Sequence, residues 1–141
     1  MTTLVLLHAG ATLFMTGLVW FVQVVHYPLF DGVGRDAFVA YEVEHSRRTT
    51  RVVGPAMLVE AASALVLLGV RPTAIPASWA WIGIVLLGIV WISTVFVQVP
   101  QHRSLARGFD DGVHRALVAG NWIRTIAWSA RSVLALAMAA G

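Results

Sequence analysis

The chain has 141 residues, 58% of them hydrophobic and only 12% charged, with a mean hydropathy of +0.77. A soluble domain carries about a quarter charged residues, so this composition excludes one and points to a single integral membrane domain over residues 1–141. All ten basic residues are Arg and there is no Cys, so the charge reports topology before it reports nucleic acid, no nucleic-acid partner is expected, and disulfides, thiolate metal sites and dithiol redox chemistry are excluded.

A bilayer core takes about 20 apolar residues in helix, and four stretches qualify. The first covers about residues 4–25 and ends at His26-Tyr27-Pro28, where proline steers the preceding residue out of helix. Met1 to Gly17 carries no Lys or Arg ahead of its apolar run, so the expectation is a retained span rather than a signal peptide. The second covers about 52–70, interrupted only by Glu60, with an amphipathic helical lead-in from about Ala40. Pro55 lies inside it and should kink it or be accommodated by a neighbouring helix.

A Pro-containing turn over Arg71 to Ser78 leads to the third span, about 79–99, which has no charge and is closed by Pro100. The fourth, about 116–140, contains Arg124 and Arg131. Short links make neighbouring helices antiparallel, so the predicted fold is an all-α, four-helix membrane bundle. Arg35, Arg47, Arg48, Arg51, Arg103, Arg107 and Arg115 then fall on one side and Arg71 on the other. The positive-inside rule places both termini outside a cell membrane and the two longer loops in the cytoplasm.

Each helix carries one polar stripe at 100° per residue: Thr12, Thr16, Gln23 and His26; Glu42, His45, Thr49, Glu60 and Ser63; Trp91, Thr94, Gln98 and His102; Asn121, Arg124, Trp128 and Arg131. Four such stripes avoid lipid together only by facing a common interior. Glu60 and Arg124 each stand nine residues beyond an arginine of the cytoplasmic side, about 13 Å deep at the helical rise. The spacing therefore predicts a Glu60–Arg124 pair, with Arg131 deeper and bonded to carbonyls or hydroxyls. The simpler role for such a pair is to fix helix register.

His26, His45 and His102 sit at the cytoplasmic ends of three helices and form a candidate metal triad for Cu, Fe or Zn, the alternative being interfacial histidines bonded to loop backbone. Glu42 and His45 make one Glu-x-x-His step, where a carboxylate-bridged di-iron bundle needs two. His8 and His114 read as structural. Trp79 and Trp81 read as interface anchors, Trp91 and Trp128 as walls of an aromatic pocket for a flat substrate or cofactor, the commoner use of such residues being helix packing, and Gly54, Gly69, Gly83 and Gly88 as points of close helix approach.

The segment Ser93-Thr94-Val95-Phe96-Val97-Gln98-Val99-Pro100-Gln101-His102-Arg103-Ser104-Leu105-Ala106 resembles the third-helix signature of the small four-span membrane proteins of the anthrone oxygenase-like family. In those proteins a Thr-containing apolar run leads into a Val-Pro-x-Asn step and then Leu-Ala. Thr94, Val99, Pro100, Leu105 and Ala106 match. Asn121-Trp122-Ile123-Arg124 through Trp128-Ser129-Ala130-Arg131 is similar to that family's closing Trp and Arg pattern, and Pro28 and the stretch from Phe38 to Pro55 resemble its earlier elements more loosely. The chain departs from the pattern at His102, where the family has Asn, and at His45, the polar residue that opens the second span.

The resemblance implies oxidation of polycyclic anthrones to quinones with O₂. That reaction needs a base and a cation to hold an enolate or phenolate. His45 or His102 can serve as base, with a pKa naturally near working pH. Gln98, Asn121 and Arg124 can hold the oxyanion, Glu60 can orient Arg124 or a histidine, and Trp91 and Trp128 can stack on the substrate. The expected partners are a hydrophobic small molecule from the bilayer, the lipids themselves, and other copies of the chain in a homo-oligomer. Two other readings stay open: a non-catalytic metal or haem binding protein using the same imidazoles, and a small transporter or proton channel with a Glu60–Arg124–His102 relay.

Overall fold

A computed structural model describes residues 2–140; Met1 and Gly141, the ends of the predicted domain, lie outside the described residues. No strand occurs among the described residues. Helix α1, Thr2–Phe21, continues into a π turn, Val22–His26, and a 3-10 turn, Pro28–Gly32; α2 is Arg35–Val70; α3, Ala77–Ser93, continues into a second π turn, Thr94–Gln98, and α4, Val99–Leu105; α5 is Asp111–Ala140. The backbone stays in the right-handed helical region from α3 through the π turn into α4, so the five helices form four rods.

Both π turns have proline two residues after their last residue, at Pro28 and Pro100. The wider turn closes with Tyr27 N–H on the Val22 carbonyl at 2.9 Å and with Val99 N–H on the Thr94 carbonyl. A π turn leaves a carbonyl of the preceding turn without its α-helical partner, and a proline, with no N–H to offer, fits the first turn beyond it. The third rod therefore runs past Pro100 to Leu105, where the sequence predicted an end at Val99. Helix α2 starts at Arg35, five residues before its predicted lead-in, and runs through Pro55. It ends where Pro72 holds Arg71 extended, with φ −59° and ψ 148°. Helix α5 starts at Asp111 rather than near 116, because the Asp110 carboxylate accepts from the Val113 N–H at 2.8 Å and caps the first turn.

The segments Thr3–Gly32, Arg35–Val70 and Ala77–Leu105 are long and apolar enough to cross a membrane. Helix α5, predicted as the fourth span, is not among these three, and Arg124 and Arg131 lie inside it. It packs along α1 and α3. Three apolar layers hold the rods together: Val5, Leu67, Ile75 and Met138 at one end; Met15, Val19, Met57, Val90 and Trp128 in the middle; Tyr27, Phe30, Phe38, Leu105 and Leu117 at the other. Arg35 meets Asp111 at 3.1 Å and ties the starts of α2 and α5 at that third end.

The radial distribution is inverted relative to a water-soluble protein. Gln23, Glu42, Glu60, Gln98, Asn121, Arg124 and Arg131 are buried, while Phe96 is 73% exposed, Val133 71% and Ile126 65%. The glycines do not all serve the role predicted for them. A Cβ at Gly54, Gly69 or Gly88 would meet nothing within 4 Å, and one at Gly83 would make only ordinary contact with Leu134 at 3.5 Å. Close helix approach is therefore not what these positions provide.

Candidate functional site

The interior polar groups form two separate clusters. In the first, the Glu60 carboxylate accepts from Arg131 Nε at 2.8 Å, Thr12 Oγ1 at 3.0 Å and Trp128 Nε1 at 2.9 Å. Arg131 also donates to the Gly83 carbonyl, in keeping with the predicted carbonyl contact. The predicted Glu60–Arg124 pair does not form. The reason is the origin of the depth count. From the Arg35–Asp111 bridge, Glu60 stands twenty-five residues along α2, Arg131 twenty along α5 and Arg124 only thirteen, so Arg131 is the one at the level of Glu60. Neither Glu60 nor Asn121 lines the large cavity described below, and Glu60, Arg124 and His102 are not brought into one relay.

The second cluster surrounds the polar end of a cavity of about 380 Å³. Its walls include Met15, Val19, Met57, Trp91, Val95 and Trp128, and its polar end is made by Tyr27, His45, His102 and Arg124. The two tryptophans expected to form an aromatic pocket thus both line it. Gln98 also lines it. With its amide nitrogen turned to Ser93 it donates to that residue's hydroxyl at 3.0 Å and carbonyl at 2.7 Å, and its oxygen accepts from the Asn121 backbone N–H at 3.3 Å.

Tyr27 is the group at this end that sequence reasoning missed. Its hydroxyl lies 2.8 Å from His102 Nε2, while His102 Nδ1 lies 2.6 Å from Glu42 Oε1. With Nδ1–H donated to the carboxylate, Nε2 is left as the acceptor for the tyrosine proton. Hydroxyl, imidazole and carboxylate are thereby arranged in the order that activates a hydroxyl for proton transfer. Arg124 Nη2 donates to the same hydroxyl at 3.3 Å. The only sequence signal for Tyr27 was its place between His26 and Pro28, at the exit of the first helix. Glu42 lies on the predicted stripe of α2, where its spacing pairs it with His45 in a Glu-x-x-His step and gives no sign of His102 as its partner.

The orientation of both polar groups is fixed from behind. Gln23 donates to the Val118 carbonyl at 3.1 Å, Asn121 donates to Gln23 Oε1 at 2.9 Å, and Arg124 Nε donates to Asn121 Oδ1 at 2.9 Å. The Tyr27 carbonyl is held by His114 Nε2 at 2.7 Å, and His8 Nδ1 meets Ser63 Oγ at 3.0 Å, so both histidines read as structural are engaged in hydrogen bonds. Arg124 is buried and pairs with no carboxylate among the described residues. It faces the cavity as an uncompensated cation.

The predicted His26, His45 and His102 triad is rearranged. His26 Nε2 bonds to His45 Nδ1 at 2.9 Å, while Glu42, His45 and His102 present ligand atoms within 4.8 Å of one another. Glu42 replaces His26 because it lies one turn before His45 on α2 and fully buried, facing His102. No protein-family model, curated protein or solved structure matches the chain.

Proposed function

We propose that this protein is a membrane-embedded oxidoreductase of the oxygenase type, acting on a hydrophobic, aromatic or quinone-like substrate that enters from the bilayer. The observation that carries this reading is the Tyr27 hydroxyl, held between His102 and Arg124 at the polar end of an otherwise apolar cavity. The cavity volume falls in the range of about 300–1,000 Å³ usual for small-molecule sites. Membrane embedding is supported by the polar interior and apolar exterior of the rods. The arginine-rich end, which holds this site, is assigned to the cytoplasm and both termini to the outside.

Chemically, a doubly benzylic methylene that lies across the ring from a ketone, and is conjugated to it through the flanking aromatic rings, loses a proton to become a phenolate. Tyr27 passes its own proton to His102, which Glu42 steadies as the imidazolium, and the tyrosine oxygen takes the substrate proton. Arg124 lies where the phenolate charge develops, and in an apolar cavity such a fixed cation acts at low dielectric. The carbanion carbon then gives an electron pair to O₂. The resulting peroxide anion takes up the proton, and the hydroperoxide so formed loses water, so that CH₂ and O₂ become C=O and H₂O. Trp91 and Trp128 supply faces for a flat ring system.

The test is oxygen uptake and quinone absorbance with a tricyclic anthrone, using tag-free protein in detergent. One O₂ consumed per quinone, lost in Tyr27→Phe and Arg124→Gln, is expected. Rates in both variants equal to the unaltered protein would overturn the assignment.

A further inference from the structure

The histidines of the cluster differ in one respect from ordinary buried imidazoles. Each has a ring nitrogen taken by a side chain on its outer side: His45 Nδ1 by His26 Nε2 at 2.9 Å, and His102 Nε2 by the Tyr27 hydroxyl at 2.8 Å. The remaining nitrogens are His45 Nε2, which makes no hydrogen bond among the described residues, and His102 Nδ1, which faces Glu42. Metal-bound histidines are held in this way, the second nitrogen bonded to a neighbour that fixes tautomer and ring orientation. The carboxylate adds an independent sign. Glu42 is fully buried, and its Oε2 has no hydrogen-bond partner among the described residues, a costly state for a carboxylate oxygen unless something else meets it.

We infer that Glu42, His45 and His102 form a binding site for one divalent transition-metal ion of the zinc, cobalt or iron(II) class, with His26 and Tyr27 as its outer hydrogen-bond partners. Two imidazoles and one carboxylate suit these ions and leave coordination positions open. With no cysteine in the chain, no thiolate joins the ligand set, which stays imidazole and carboxylate. Ligand atoms about 2.0–2.2 Å from an ion stand roughly 3–3.5 Å apart, so three atoms within 4.8 Å of one another close on an ion by side-chain rotation, without movement of α2 or α4. Two of the ligands come from α2, three residues apart, and the third comes from the turn after Pro100. The site therefore clamps two rods together.

The ion takes His102 Nδ1 and the Glu42 carboxylate, the same atoms that Tyr27 uses as its proton acceptor chain. Binding of the ion stands on its own; the consequence for proton transfer rests on the function proposed above. Under that reading, an occupied site and an active Tyr27 relay exclude one another, and the ion is a brake on turnover.

Cobalt(II) alone is the probe, titrated into tag-free protein freed of metal by a chelator and held in detergent, with visible absorption and elemental analysis as readouts. One equivalent bound, with bands of a four- or five-coordinate ion that zinc(II) abolishes and magnesium(II) does not, is expected. His45→Asn removes binding, His26→Gln weakens it about 10- to 100-fold, and His8→Asn leaves it unchanged. Circular dichroism in each variant separates loss of the site from loss of the fold, and His45, being half-buried, is the safer of the ligands to alter. Folded wild-type protein that takes up no cobalt at 100-fold molar excess overturns the site, as does uptake identical in wild type and His45→Asn. Cobalt binding by a protein whose metal-free form shows no anthrone turnover removes the oxygenase reading alone; turnover without cobalt binding removes the ion site alone.

Discussion

Glu60 and Arg131 are joined at 2.8 Å with both side chains only 1% exposed, while Arg124, seven residues earlier on the same helix, meets no carboxylate among the described residues. The two interior arginines therefore do different work. Arg131 compensates a buried charge across two rods; Arg124 keeps its charge available to the cavity. Removing one partner of a fully buried ion pair costs about 3–5 kcal/mol, whereas Arg124 loses hydrogen bonds to Asn121, Thr94 and Tyr27. Glu60→Ala is thus expected to lower the thermal midpoint in detergent sharply, and Arg124→Gln to lower it by a smaller amount. Equal shifts in the two variants would contradict this division.

Tyr27→Phe removes one oxygen and leaves the ring in its apolar layer with Phe30 and Leu117. The bond from His114 goes to the Tyr27 carbonyl, which the variant keeps. The helix exit should be undisturbed, and the predicted loss is confined to kcat. A positioned acid-base group contributes about 10²–10⁴-fold, and steady-state rates with an anthrone substrate measure it. A fall in thermal midpoint as large as that of Glu60→Ala would reassign Tyr27 to a structural role.

Gly54 lines the cavity and has open space where a Cβ would project. Gly54→Ala should stabilise the protein by about 0.5–1 kcal/mol through the lower chain entropy of alanine in a helix, with turnover retained. Gly54→Phe should fill the space between α2 and the third rod and raise KM at least tenfold while the protein stays folded. Unaltered KM in the phenylalanine variant would mean that substrate does not occupy this cavity.

The chain has no cysteine, which makes orientation directly measurable. Thr73→Cys lies in the turn between α2 and α3, and Arg107→Cys in the turn between α4 and α5; both positions are exposed. An impermeant maleimide added to intact cells is expected to label the first and to reach the second only after permeabilisation. The reverse pattern would invert the assigned topology.

Much of the scaffold was legible in the sequence because helix formation and the inward turn of polar stripes follow from local spacing. Gln23, Glu42, Glu60, Gln98, Asn121 and Arg124 were all assigned inward, and all are buried. Pairings across rods were less legible, since they depend on where each helix begins. Counting Glu60 from Arg51 and Arg124 from Arg115 assumed a common starting plane, while the actual tie lies between Arg35 and Asp111. The same limit explains the exchange of His26 for Glu42. At 100° per residue both lie on inward faces, and only the approach of α4 to α2 decides which of them meets His102. Ser93 and Gln98, five residues apart and in hydrogen-bond contact, mark a departure from α-helical counting that no periodicity reveals.

That departure, and its counterpart at Val22–His26, add one residue to each of two rods just ahead of Tyr27 and His102. An added residue rotates everything beyond it by about 100°, so Tyr27 and His102 owe their meeting to two single-residue insertions rather than to the apolar pattern that builds the rods. Loss of one codon from either turn would restore a plain α-helix and swing one partner away from the other, leaving the rods without the Tyr27–His102 contact. Gain of one codon in an inert bundle of this kind is, by the same geometry, a short route to acquiring chemistry.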